Sequence, residues 1–194
     1  MTPTVRRALP AVSALLALAA CTSAGADAPD VAVPAPTGDA AEACRALHAD
    51  LPERVDGAER GELPESTPFA MVWGDPAIVL RCGVESPGPL TPGSDAYDPV
   101  SAEIVGVNEV SWLLERQDGG VRFTTTERAV FVEMTVPDAY APEVNPLLDV
   151  AAAIDAHIPL DPLYSEETGE AEGTEGTGDA EGGDPHGGHA GHGG

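Results

Sequence analysis

The sequence contains no lysine, because all nine basic residues among its 194 are arginine. A Schiff-base lysine, a serine–lysine dyad and a Walker A phosphate loop each need a lysine ammonium group, so these three chemistries are excluded. Basic residues are also few: nine arginines stand against 33 aspartates and glutamates, and the formal net charge is −24. Since proteins bind nucleic acid largely by neutralising phosphates with Lys and Arg, nucleic acid is not an expected partner.

The sequence also lacks an apolar run of the roughly 20 residues that a membrane-spanning helix needs. A shorter apolar stretch, residues 8–20, follows two arginines and is typical of the central part of a secretory signal peptide. It ends in Leu-Ala-Ala-Cys at positions 18–21, which resembles a bacterial lipobox, where the cysteine receives a diacylglyceryl group and cleavage occurs before it. We therefore expect a lipoprotein signal peptide over 1–20, lipidation at Cys21, and a mature chain at the extracytoplasmic face of the cell membrane.

Composition divides the rest of the chain into three parts. Residues 21–38 are rich in Ala, Pro and Gly without apolar periodicity and are predicted to be a disordered tether. Residues 165–194 are rich in glycine, acidic residues and histidine, and are predicted to be a disordered tail. Between them, residues 39–164 have the length of one domain and hold 23 acidic residues against seven arginines.

Two helices are predicted near the ends of this domain. The first has Asp39 as its N-cap, ends at Pro52, and buries a stripe formed by Cys44, Leu47 and Leu51. The second has Asn145 as its N-cap and Pro146 at its first position. Its predicted apolar face consists of Leu147, Val150, Ala151, Ile154 and Ile158.

About five strands are predicted between the helices, over residues 69–73, 78–84, 103–115, 121–126 and 129–136. Asn108 is a candidate break in the third strand, and a hairpin turn at 74–77 joins the first two. Residues 55–68 and the proline-rich stretch 85–99 are predicted to be loops. Because strands and helices do not alternate, we expect an α+β fold in which both helices pack on one face of a small antiparallel sheet.

Two cysteines, Cys44 and Cys82, remain once Cys21 carries lipid, and both are predicted to face the core. Outside the reducing cytoplasm a structural disulfide is the simplest interpretation. A redox pair is an alternative, although there is no Cys-x-x-Cys motif. A metal site formed by Cys44, His48 and Cys82 is another.

No arrangement of residues typical of an enzyme is found. The sequence has no G-x-S-x-G motif, and the only histidines of the domain, His48 and His157, lie near predicted helix ends. We therefore expect a non-enzymatic binding or accessory module with an unidentified envelope protein or ligand as its partner. The candidate partner surface is the turn Trp73-Gly74-Asp75-Pro76 together with the proline-rich loop, and the alternative for Trp73, as for Trp112, is core packing.

The predicted tail offers one candidate cofactor site. His186, His189 and His192 recur at every third position, and imidazoles on a flexible chain can bind divalent Cu, Ni or Zn. The chain would then be a metal-binding or metal-delivery lipoprotein. The alternative is that this segment is only a solvated tether, with no cofactor bound.

Four segments between residues 43 and 158 resemble an actinobacterial family of exported lipoproteins known as domain of unknown function 3515. They are Cys44 with Leu51-Pro52, the run 72–84 from Val-Trp-Gly-Asp-Pro to Arg-Cys-Gly-Val, residues 107–112 and residues 123–125. The resemblance implies an extracytoplasmic location and the two-cysteine pattern, without an established activity. Glu109 stands where the family pattern has glycine, which argues against a tight turn there.

Overall fold

The structure, a computed structural model, describes residues 29–169. The predicted signal peptide, the predicted lipidation site Cys21 and the histidines at 186, 189 and 192 lie outside this range. None of the helices in the described range is long and apolar enough to cross a membrane.

A six-stranded antiparallel sheet forms the centre of the domain. It is preceded by helix α1 (Gly38–Asp50) and a short ribbon of β1 (Arg54–Val55) and β2 (Ala58–Glu59). The sheet strands are β3 (Ala70–Trp73), β4 (Ile78–Val84), β5 (Glu103–Val107), β6 (Val110–Gln117), β7 (Gly120–Thr125) and β8 (Phe131–Pro137). Helices α2 (Asn145–His157) and α3 (Pro162–Gly169) follow. The strand order is β3-β4-β8-β7-β6-β5, so β5 to β8 form a meander and the β3–β4 hairpin joins it beside β8.

Helices α1 and α2 cover one face of this sheet, as the sequence predicts. They contact each other, α1 also contacts β4, and α2 also contacts β5 and β6. All the residues predicted for the two helical stripes are buried, including Cys44 and Leu47 on α1 and Ile154 on α2. The sheet contributes its large apolar side chains to the same core: Trp73, Ile78, Leu80, Trp112, Phe123 and Met134. The expected α+β fold is therefore confirmed.

Both predicted N-caps are wrong by one or two residues. Helix α1 begins at Gly38 after Thr37, and no side chain caps it, so Asp39 lies in the first turn instead. A carboxylate in that turn still interacts favourably with the positive end of the helix. Helix α2 begins at Asn145 itself, with Val144 as its N-cap and Pro146 in the first turn.

The sheet has six strands because the predicted strand 103–115 is a hairpin. Asn108 adopts a φ of 52°, which reverses the chain between β5 and β6 over two residues. Asparagine tolerates this left-handed conformation better than most residues. The turn is therefore tight although Glu109 replaces the glycine of the family pattern.

The predicted loop over 55–68 contains the unexpected β1–β2 ribbon. Asp56 and Gly57 both have positive φ, 47° and 78°, as a two-residue hairpin turn requires. After this ribbon the chain runs along the outer edge of β3. The amide of Gly61 donates to the carbonyl of Val72 at 2.8 Å, and the amide of Gly74 donates to that of Glu59 at 3.0 Å.

A buried arginine holds the end of α2 to the sheet. The side chain of Arg128 is 3% exposed and forms an ion pair with Asp155, with 2.8 Å between Nη2 and Oδ1. Its guanidinium also donates to the carbonyl of Ile158 at 2.9 Å and to that of Glu109. One side chain thus joins the β5–β6 turn to the last turn of α2.

Candidate functional site

The sheet face opposite α1 and α2 carries four charged side chains in a connected patch. The strand register places Arg81 on β4 beside Glu133 on β8, and Arg122 on β7 beside Glu115 on β6. Each of the four alternates along its strand with residues of the helix-covered core, so all project from the open face. We call these four residues the charged ladder.

Both pairs of the charged ladder are closely hydrogen-bonded. Arg81 donates from Nε and Nη2 to Oε1 of Glu133 at 2.9 and 2.7 Å, and the Glu133 side chain is 11% exposed. Arg122 forms a two-pronged pair with Glu115, with 3.1 Å from Nε to Oε2 and 2.9 Å from Nη2 to Oε1. Each arginine–glutamate pair is neutral overall when both groups are ionised.

The charge state of Arg122 is reinforced by its surroundings. The hydrogen bond to Glu115 raises the pKa of Arg122, and the negative charges of Glu115 and Glu133 raise it as well. Burial of the guanidinium lowers this pKa, but by less than the hydrogen bond raises it. Arg122 on β7 therefore keeps its positive charge, and it lies between the Glu115 carboxylate on β6 and the Glu133 carboxylate on β8.

An extended N-terminal segment, residues 32–36, lies over the charged ladder, and we call it the strap. Nη1 of Arg81 donates to the carbonyl of Ala32 at 2.9 Å. Farther along, Pro36 packs against Gly83, where a Cβ atom would come within 2.6 Å of the proline Cγ. Gly83 also has a φ of 85°, which glycine adopts readily. Because it has no side chain, Pro36 can pack directly against its backbone. Part of the predicted tether therefore contacts the domain directly.

A cavity of about 640 Å³ lies between the strap and the charged ladder, and we call it the strap cavity. Thr124 and the start of the proline-rich loop, from Glu85 to Gly88, complete its lining. Guanidinium donors and carboxylate acceptors alternate there, which suits a polar ligand that offers both kinds of group.

The predicted partner surface is only partly available. Trp73 is fully buried and donates from Nε1 to the carbonyl of Pro52 at 3.0 Å, so it packs in the core and cannot face a partner. Gly74, Asp75 and Pro76 are exposed, and the Asp75–Pro76 peptide bond is cis. The hydroxyl of Tyr140 donates to the carbonyl of Pro76 at 2.9 Å and fixes this turn.

The turn and the proline-rich loop do not form one surface. The turn precedes β4 and the loop follows it, so the seven residues of that strand separate them by about 20 Å. Trp112, the other candidate aromatic, is also fully buried. Of the predicted surface, the proline-rich loop is the part that borders the strap cavity.

The predicted disulfide between Cys44 and Cys82 is present and joins α1 to β4. The two Cα atoms are 5.6 Å apart and both residues are buried. The alternative metal site with His48 is therefore wrong, because both thiols are used in the bond. Within residues 29–169 no cluster of three or more histidine, cysteine or acidic side chains could hold a metal ion.

The sequence does not single out the charged ladder. The alternation of β4 and β8 does indicate that Arg81 and Glu133 point away from the core. It does not indicate that they are neighbours, because pairing depends on the strand order and register. The strap could not be predicted either, because residues 32–36 have no apolar periodicity.

The fold and the site together define an α+β domain that contains one disulfide between α1 and β4. Its sheet face opposite the helices carries the charged ladder, and the strap lies over that ladder. A family model matches residues 5–163, and the chain belongs to the family described as Protein of unknown function (DUF3515). The resemblance seen in the sequence is thereby confirmed at the level of the family. Neither the curated proteins nor the solved structures show a match to the chain.

Proposed function

We propose that this protein is a lipoprotein attached through Cys21 to the extracytoplasmic face of the cell membrane, where its domain acts as a non-enzymatic binding or accessory module of the envelope. The observation that carries the proposal is the buried Cys44–Cys82 disulfide. Disulfides of this structural kind persist in oxidising compartments and are rare in the cytosol. The sequence supplies a matching export signal that ends in a lipobox-like cysteine.

The role in binding is supported by the strap cavity. Its charged side chains are held in place by hydrogen bonds to one another, so a ligand would meet a preformed set of donors and acceptors. The strap precedes the domain in the chain, and only 11 residues separate the proposed lipid anchor Cys21 from Ala32 at the edge of this cavity.

The charge of the chain supports a lipid as the means of attachment. Cleavage before Cys21 removes two arginines and leaves seven against 33 acidic residues, so the side chains of the mature chain carry a net charge of about −26. Anionic lipid head groups repel such a surface within a Debye length. Two or three acyl chains give stable anchoring by contrast, because each buried methylene contributes about 0.8 kcal/mol.

Metabolic labelling of a bacterial host with a tagged fatty acid tests the anchor. We expect label on the full-length chain and on Cys82→Ala, which keeps the lipobox, and none on Cys21→Ala. Label that persists on Cys21→Ala would overturn the proposed attachment.

The compartment is tested by mass spectrometry of the exported protein without reduction. Since the chain has no lysine, trypsin cleaves only after arginine, and Cys44 and Cys82 fall in separate peptides that end at Arg45 and Arg116. We expect these two peptides as one crosslinked species. Free thiols on both peptides in freshly isolated protein would contradict an oxidising location.

A second candidate function, metal binding, rests on the spacing of His186, His189 and His192. Calorimetric titration of the mature chain with Cu(II), Ni(II) and Zn(II) tests it, with a variant lacking residues 165–194 as the control. Heat at micromolar concentrations that disappears in the shortened variant would support this function. Equal heats in both proteins, or none, would remove it.

A further inference from the structure

The two outer strands of the sheet differ in how their edges are covered. The outer edge of β3 is protected by the chain that follows β2, through the bonds of Gly61 and Gly74 described above. Strand β5 forms the opposite edge and, among the described strands, pairs with β6 alone. Within the part of the chain that the structure describes, no backbone or side-chain group bonds to the outer side of β5.

The free backbone groups of this edge belong to Ile104 and Gly106. The carbonyl of Ser111 accepts a hydrogen bond from the amide of Thr126 at 3.1 Å, on the side of β6 away from β5. Ser111 and its partner Gly106 are therefore a pair without hydrogen bonds between them. Gly106, and Ile104 two residues earlier, consequently direct their amides and carbonyls outward.

Strand β5 lacks several of the features that normally protect an edge, and its one charged residue is Glu103 at its start. Its sequence, Glu-Ile-Val-Gly-Val, contains no lysine or proline, and its register with β6 is unbroken. A Cβ atom at Gly106 would meet no atom within 4 Å, so no neighbour in the described structure requires glycine there. A glycine inside a strand often marks a place where another backbone comes close.

An apolar hollow lies beside this edge, between β5 and α2. It has a volume of about 290 Å³ and is lined by Val105, Val107, Val144 and Leu148, with Gly106 and Asn108 at the rim. Leu148 is 53% exposed, and Ile104 on the other side of the strand is 47% exposed. We call this the edge hollow, and its size suits one or two aliphatic side chains of an added strand.

The charges around the edge are acidic. Glu103 begins β5, Glu109 follows its end, and Glu143 precedes Val144 of the edge hollow. Glu103 has an arginine nearby on β6, with 3.9 Å between Nη2 of Arg116 and Oε1 of Glu103. A second copy of this chain would bring the same acidic groups together, so the charges favour a basic partner.

We propose that β5 is the docking strand for an extended, basic segment of a partner protein. The segment adds to the sheet as a seventh strand, pairs with the backbone of Ile104 and Gly106, and places an aliphatic side chain in the edge hollow. This mode of recognition takes its affinity from main-chain hydrogen bonds and its specificity from alternate side chains. The inference rests on the binding role proposed above and names its partner class.

The probe is a short peptide in which lysine and valine alternate, titrated into the mature chain and followed by NMR. We expect saturable shifts at Ile104, Gly106 and Leu148, and slower hydrogen exchange at the amides of Ile104 and Gly106. A peptide with the same side chains but a methyl group on each backbone nitrogen should produce neither effect, because it has no amide hydrogen to donate to Ile104 or Gly106. Equal effects from both peptides, or shifts spread evenly over the acidic surface, would overturn the proposal.

Two variants locate the contact. Gly106→Pro removes an outward donor in open space, and we expect peptide binding about tenfold weaker. Leu148→Asn replaces an apolar wall of the edge hollow with a neutral amide and should weaken binding at least as much, whereas Leu163→Asn alters a 77% exposed leucine elsewhere and should not. Thermal unfolding of each variant confirms that the fold is intact. Unchanged affinity in folded Gly106→Pro and Leu148→Asn would refute strand addition.

Self-association is measured in parallel by sedimentation of the mature chain. A concentration-dependent dimer that Gly106→Pro abolishes would assign the edge to a second copy and overturn the basic partner. The peptide experiment does not depend on lipid at Cys21. A negative result with the peptide would therefore not count against the lipid anchor. Absence of fatty-acid label would likewise not count against the docking strand.

Discussion

Removing the Cys44–Cys82 disulfide should lower the stability of this domain by a large and measurable amount. The bond connects residues 38 positions apart. In the chain-entropy model, closing a loop of that length reduces the freedom of the unfolded chain by about 4 kcal/mol. We expect the double variant Cys44→Ala with Cys82→Ala to lose about this much free energy of unfolding.

Urea denaturation followed by tryptophan fluorescence measures the loss. The chain has two tryptophans, and both Trp73 and Trp112 are fully buried, so unfolding exposes each of them to water. For a domain of this size the free energy of unfolding changes by about 2 kcal/mol per molar urea. The midpoint of the double variant should therefore fall by about 2 M.

The single variants provide the control. Either Cys44→Ala or Cys82→Ala breaks the crosslink, so each should cost nearly as much as the double variant, and the effects should be far from additive. Single effects that add up to the double effect would refute the reasoning, because they would mean that the cysteines act as separate packed residues. A double variant within about 1 kcal/mol of the natural chain would contradict the entropic account.

Three further predictions concern the fold. Arg128→Ala should lower the free energy of unfolding by about 2 kcal/mol in the same urea assay, because it leaves the buried carbonyl of Ile158 without a donor and the half-exposed carboxylate of Asp155 without a partner, and a loss below about 1 kcal/mol would contradict this. Gly83→Ala should lower the free energy of unfolding by about 1–2 kcal/mol and speed proteolysis of the strap. Gly93 is the control, because its φ of 87° is similar but a Cβ atom there would meet nothing within 4 Å, so Gly93→Ala should not affect the strap. Burial, then the charge of Arg60, lowers the pKa of His48, so the folded chain binds this proton less readily than the unfolded chain, and stability should rise as the pH increases toward the ordinary histidine value of 6.5. His48→Gln should flatten that rise in unfolding midpoints measured across the range, and an unchanged slope would refute it.

The helices and most strands were predictable because their side chains repeat with the period of the element. The stripe from Cys44 to Leu51 and the alternation of β4 each report which side meets the core, and no tertiary information is needed. The burial of the two cysteines follows from the same periodicity. Their pairing also requires that α1 and β4 be neighbours, which periodicity does not show. The disulfide was predicted because an oxidising compartment was expected.

The features that the sequence did not reveal depend on short-range turns or on pairing between distant strands. The Asp56-Gly57 turn joins strands of two residues each, which is too short for a period to be recognised. The N-terminus of α1 is set by the positive φ of Gly38, a conformation that composition alone does not specify. The charged ladder exists only because β8 lies between β4 and β7, an order that follows from the whole sheet.

The strap has a consequence for how far the domain can move from the membrane. With a tether that ended only at the start of α1, the 17 residues from Cys21 to Gly38 could extend to about 60 Å. Because Ala32 is already bound to Arg81, 11 residues remain, and they can reach at most about 40 Å. If Cys21 is lipidated as proposed, the free tether is shortened by about a third, and it leaves the domain from the charged face of the sheet and not from the start of α1.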